Sequence, residues 1–139
     1  VEPERSGSKA LIIIPMAATK VLIVDDDQFL LDMYALKFRE SGFDVDVAEN
    51  GKKAIQKVEE FKPDVILLDV VMPAVDGFEV LSEVKEKKLV PGVKVIMLTN
   101  LGQKDDTERG MALGADDYIV KAHFTPTEVV DRVKSILGN

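Results

Sequence analysis

The chain has 139 residues, 46% of them apolar and 31% charged, a composition that fits one globular domain with a real core and excludes disordered and fibrous classes. Its net charge of −7, from 25 acidic against 18 basic side chains, argues against direct nucleic-acid binding, which needs clustered lysine and arginine. Without cysteine there are no disulfides or thiolate metal sites, and no apolar run approaches the roughly 20 residues of a spanning helix. A cytoplasmic protein without membrane contact is the expectation.

The N-terminus opens on acidic residues, and its Ala10 to Ile14 run is shorter than the ~7–15 apolar residues of a secretory core. Met16-Ala-Ala-Thr-Lys reads as a natural start. Residues 1–19 are therefore expected to be an N-terminal extension, either a cloning remnant or a linker, and 20–139 the folded domain. The alternative is a genuine extension whose Leu11–Ile14 run adds a strand or covers an apolar groove.

From Lys20 onward two kinds of segment alternate. Val21–Val24, Val45–Val47, Val65–Leu68, Val93–Leu98 and Tyr118–Val120 are short apolar, β-branched runs. Between them lie stretches with helical spacing. Phe29, Leu30, Met33, Leu36 and Lys37 mark the first, closed by Ser41-Gly42; Ala54, Ile55, Val58 and Phe61 mark the second, stopped by Pro63. Phe78, Val80, Leu81 and Val84 mark the third, ended by Pro91-Gly92, and Thr107 to Leu113 a weaker fourth. Val129, Val130, Val133, Ile136 and Leu137 make the fifth, entered through Thr125-Pro126 as N-cap and first-turn proline. Runs apolar on both faces suit a parallel sheet covered by helices on each side. Only Phe43-Asp-Val-Asp-Val alternates, which places the second strand near an edge. The predicted fold is α/β: a doubly wound, flavodoxin-like five-stranded parallel sheet of order 2-1-3-4-5 with five helices.

In such a sheet, chemistry belongs at the carboxyl ends of the strands. The first strand ends in Asp25-Asp26-Asp27 and the third in Asp69. If those strands are neighbours, several carboxylates share a small space and must be neutralised by protons or by a cation. With no histidine or cysteine nearby, the hard-ligand choice is Mg2+. Asp27, directly before Gln28-Phe29, also reads as a helix cap. Thr99 ends the fourth strand and Lys121 follows the fifth, so a hydroxyl and an ammonium reach the same rim. That set matches the charge spread over a transferring phosphoryl group.

These residues resemble the response-regulator receiver family. The acidic pair follows the first strand, Asp69 opens Asp-Val-Val-Met-Pro-Ala-Val-Asp-Gly, which is similar to D-x-x-M-P-x-x-D-G, and Thr99 and Lys121 lie 30 and 52 residues further on. The resemblance implies that Asp69 accepts a phosphoryl group from a phosphohistidine on a sensor histidine kinase or phosphotransfer protein. It implies that Asp26, Asp69 and the Val71 carbonyl bind Mg2+, with Asp25 holding a metal water. Thr99 and Lys121 would grip the phosphoryl oxygens, and Thr99 and Tyr118 would form a switch toward a downstream partner or output domain on the face of the fourth helix, fifth strand and fifth helix. The other reading of Tyr118 is an edge-strand aromatic with its hydroxyl in water. Met72-Pro73 and Asp76-Gly77 look structural, with proline setting a turn and aspartate capping the third helix.

Three departures from the family's usual pattern matter. Ala122 follows the lysine where proline is usual, so the loop either runs trans or stores strain. Asn100 replaces a small residue and is expected to crowd the approach to Asp69. Val71 and Leu101, two beyond Asp69 and Thr99, cannot orient an attacking water, which implies a slowly hydrolysed aspartyl phosphate. His123 reads as a loop histidine. The rival function is a phosphorylation-independent interaction module, although docking alone requires none of Asp25, Asp26, Asp69, Thr99 and Lys121. A haloacid-dehalogenase-type hydrolase would need an aspartate where Val71 stands, and a flavodoxin phosphate loop would be repelled by Asp25-Asp26-Asp27. Two readings of the output stay open, a stand-alone receiver and a piece cut before an effector domain.

Overall fold

A computed structural model describes residues 18–138 of the chain. The expectations for the N-terminal extension, including its Leu11–Ile14 run, lie outside the described residues apart from Ala18 and Thr19. The strands are β1 (Lys20–Val24), β2 (Asp44–Ala48), β3 (Val65–Leu68), β4 (Lys94–Thr99) and β5 (Asp117–Val120). The helices between and after them are α1 (Gln28–Glu40), α2 (Gly51–Phe61), α3 (Gly77–Glu86), α4 (Lys104–Ala112) and α5 (Pro126–Leu137). All neighbouring strands pair in parallel, in the order β2-β1-β3-β4-β5. The alternating strand lies at an edge, as its pattern predicts.

Strand side chains point alternately to opposite faces, so each buried run feeds two cores. Val21, Ile23, Leu67, Ile96 and Ile119 meet α1 and α5 on one face. Leu22, Val24, Ile66, Leu68 and Met97 meet α2 and α3 on the other. On α1 the core takes Leu31, Tyr34, Ala35 and Phe38, a correction to the predicted stripe. That helix is apolar around most of its circumference, so the spacing supports two stripes. The predicted stripe leaves Phe29 76% and Leu36 58% exposed, while its Leu30 and Met33 pack partly buried against the core.

Two boundaries also move. Helix α4 starts at Lys104, before its first apolar residue, because the Gln103 N–H donates to the Asp106 carboxylate in the first turn. Helix α3 ends at Glu86, ahead of Pro91-Gly92. A three-residue 3-10 turn, Lys121–His123, was not foreseen; it carries His123 exposed to solvent.

Candidate functional site at the carboxyl ends of the strands

Register brings the acidic residues together. Val24 of β1 pairs with Leu68 of β3 on one side and Ala48 of β2 on the other. The ladder continues one residue beyond: the Asp69 N–H donates to the Val24 carbonyl at 3.0 Å and the Asp25 N–H to the Ala48 carbonyl at 3.2 Å. Asp25 and Asp69 thus stand side by side, both buried, with Asp26 exposed beside them. One carboxylate oxygen from each of the three lies within 4.8 Å of the others.

Thr99 pairs with Val120 at the ends of β4 and β5, which delivers Lys121 to the same rim. The Lys121 ammonium lies 2.6 Å from Asp25 Oδ2 and 3.2 Å from Asp69 Oδ2. Burial on its own would lower the lysine's pKa, but the Asp25 hydrogen bond and the Asp69 charge outweigh it and hold the ammonium above its usual range. Burial pushes the Asp25 carboxyl up, the Asp69 charge adds to that, and Lys121 and the Asp27 N–H (2.9 Å from Asp25 Oδ1) offset only part of it. Lys121 thus bridges two of the three carboxylates, Asp25 and Asp69. The cleft they line, with Val71 and Thr99, holds about 450 Å³.

Thr99 is fully buried, and its Oγ1 accepts the Leu101 N–H at 3.2 Å, which leaves the hydroxyl proton free to donate into the cleft. Val71 sits at the mouth with its side chain outward, 61% exposed. Tyr118 stands apart from this group. Its ring packs along Gly110 of α4, and its hydroxyl donates to the Leu101 carbonyl rather than to water. Burial, with the charges of Asp106 and Asp69, pushes its phenol up to about 12. Asp27 is the α1 N-cap, accepting from the Leu30 N–H at 3.2 Å, and Asp76 closes a reciprocal capping box with Glu79 on α3.

Two features escaped the sequence, the close packing of Gly77 and a bond between Asn100 and Ala122, while the trans alternative for the loop after Lys121 holds. Gly77 opens α3 against the backbone of Asp69: its N–H donates to the Val70 carbonyl at 2.9 Å, and a Cβ there would lie 2.0 Å from the Asp69 carbonyl oxygen. The Asp-Gly pair of the motif was its only signal. The peptide between Lys121 and Ala122 is trans, as are all those among the described residues. The Ala122 N–H, which a proline would lack, donates to Asn100 Oδ1 at 3.1 Å.

Comparison with known proteins agrees with this geometry. The profile of the response regulator receiver domain matches residues 21–134. The chain is 42% identical over 118 residues to the alkaline phosphatase synthesis transcriptional regulatory protein PhoP of Bacillus subtilis, covering 85% of this chain and 48% of that one. It is 44% identical to the transcriptional regulatory protein ResD of the same organism over 119 residues, covering 86% and 48%. The chain spans about half the length of these curated relatives. Among solved structures, the Vibrio cholerae chemotaxis protein CheY4 superposes with a TM-score of 0.80 at 30% identity, covering 86% of this chain and 99% of that one. A response regulator from Chloroflexus aurantiacus gives 0.80 at 35%, covering 88% and 100%. The chain belongs to the response regulator receiver domain family, the signalling modules of two-component systems.

Proposed function

We propose that Asp69 accepts a phosphoryl group from the phosphohistidine of a sensor histidine kinase or phosphotransfer protein, and that residues 20–139 form the receiver domain, with 1–19 as an extension and the cytoplasm as the working compartment. The observation that carries this reading is the buried Asp69 carboxylate sharing one lysine with Asp25 at the end of β3. An Asp69 oxygen forms the new P–O bond as the P–N bond of the donor breaks, and the departing imidazole takes up a proton from water. Lys121 and the Thr99 hydroxyl would meet the phosphoryl oxygens.

The all-oxygen donor set and its surplus of negative charge fit a hard divalent cation. Asp26, Asp69 and the Val71 carbonyl would hold Mg2+, with Asp25 engaging it through water. Bound there, Mg2+ would offset negative charge on the phosphoryl oxygens. The consequence of phosphorylation would pass through Thr99 and Tyr118 to a partner or output domain at the face formed by α4, β5 and α5.

Incubation with acetyl phosphate and Mg2+ should add a single phosphoryl group by intact mass, and chelation should slow the uptake roughly a hundred-fold, since a metal contributes several kcal/mol to such a transition state. Failure to gain the group under any donor condition would remove the proposal. The modified protein should then lose its phosphoryl group slowly, over many minutes or longer. Val71 and Leu101 offer an incoming water no acceptor, and such assistance is typically worth ~10²–10⁴ in rate. Decay within seconds would contradict the roles given to those two positions.

A further inference from the structure

Lys121 reaches its two carboxylates from an insecure base. It opens a three-residue 3-10 turn whose other two residues, Ala122 and His123, are exposed, and such turns have poor hydrogen-bond geometry. Within the turn's own backbone, the Phe124 N–H donates to the Lys121 carbonyl at 3.2 Å. The additional tie comes from outside. Asn100, immediately after Thr99, accepts the Ala122 N–H across 22 residues of sequence. That bond crosses from the end of β4 to the end of β5, one residue past Thr99 and two past its partner Val120. Asn100, with Leu30 and Lys121, lines both the acidic cleft and a small, largely apolar groove that also includes Met33, Tyr34 and Phe124.

We propose that Asn100 is a positioning residue for phosphoryl transfer: its carboxamide clasps the Ala122 N–H, fixes the turn that carries Lys121, and so holds the ammonium between Asp25 and Asp69. The inference rests on the phosphoacceptor reading of the same site. It makes two separate departures from the family's pattern a single device. Proline at residue 122 would have no N–H to give, and a small residue at 100 could not reach to accept one. Asn100 and Ala122 are therefore a matched pair, and the expectation that Asn100 merely crowds Asp69 is the competing account.

Two variants separate the accounts, because Asn100→Leu keeps the bulk and loses the acceptor whereas Asn100→Ala loses both. Both should slow phosphoryl uptake from acetyl phosphate about three- to ten-fold, the worth of one hydrogen bond. In the Ala122→Pro background, where the donor is already gone, Asn100→Ala should change the rate less than about two-fold. The Ala122 amide proton should be protected from solvent exchange in the wild type and lose that protection in both Asn100 variants, a readout that needs no phosphorylation. Faster uptake by Asn100→Ala with no effect of Asn100→Leu would establish crowding and overturn the clasp. Equal rates throughout, or an unprotected Ala122 amide in the wild type, would overturn it as well. A wild type that takes up no phosphoryl group, with its amide pattern intact, would overturn the phosphoacceptor reading and this inference together.

Discussion

Asp69→Asn protein, incubated with acetyl phosphate and Mg2+, is expected to show no mass gain while the wild type is modified. The carboxamide preserves the size and shape of the side chain but presents a neutral, weakly nucleophilic oxygen. The fold should survive without loss. Lys121 keeps Asp25 at 2.6 Å, and the Val71 N–H, 3.4 Å from Asp69 Oδ1, can still be accepted by an amide oxygen. Removing one of three crowded carboxylates also relieves repulsion on Asp25, whose pKa burial and the Asp69 charge both raise. Stability by chemical denaturation should accordingly stay level or rise by up to about 1 kcal/mol. Equal uptake by variant and wild type would strip Asp69 of its role.

The second large effect is structural. Gly77→Ala places a methyl group 2.0 Å from the Asp69 carbonyl oxygen and 2.8 Å from both the Asp69 carbonyl carbon and Val70 Cα. All three are backbone atoms, which no rotamer change can move aside. Helix α3 must back away from β3, taking with it the Gly77–Val70 hydrogen bond. A loss of about 3 kcal/mol or more is expected in denaturant unfolding. Phosphoryl uptake should fall roughly ten- to a hundred-fold, because displacement of the nucleophile by about 1 Å has that scale of effect. Gly42→Ala is the control. Its φ of 93° carries strain but no atom lies within 4 Å, so it should cost about 1 kcal/mol and leave uptake untouched. Similar losses in both variants would show that the Gly77 contact is unimportant.

The parallel core was legible because burial on both faces writes itself as unbroken apolar runs. Val65–Leu68 has the same limits in sequence and structure. Alternation in Phe43-Asp-Val-Asp-Val carried the edge position of β2 equally well. Convergence of Asp25, Asp69, Thr99 and Lys121 followed from strand order, since side chains at the ends of adjacent parallel strands share a rim. Periodicity failed where it was ambiguous or silent. Helix α1 offered two apolar stripes, and only the packed sheet selects Leu31, Tyr34, Ala35 and Phe38. The first turn of α4 is Lys-Asp-Asp, with no apolar position to mark it. The Asn100–Ala122 bond and the absent Cβ of Gly77 are distances between loops, and no spacing along the chain encodes them.

Helix α4 is anchored unlike the others. Its nine residues bury a single one, Gly110, which contributes no side chain, whereas α1 buries four residues and α3 five. A helix seated on a glycine can slide or tilt without pulling a knob from a socket, so its movement opens no cavity with the free-energy penalty that such voids carry. The surface next to Tyr118 is thereby held by fewer buried side chains than the faces of α1 and α3. In the proposed phosphoacceptor reading, a phosphoryl group gained at the Lys121 rim would meet little packing resistance in moving this helix.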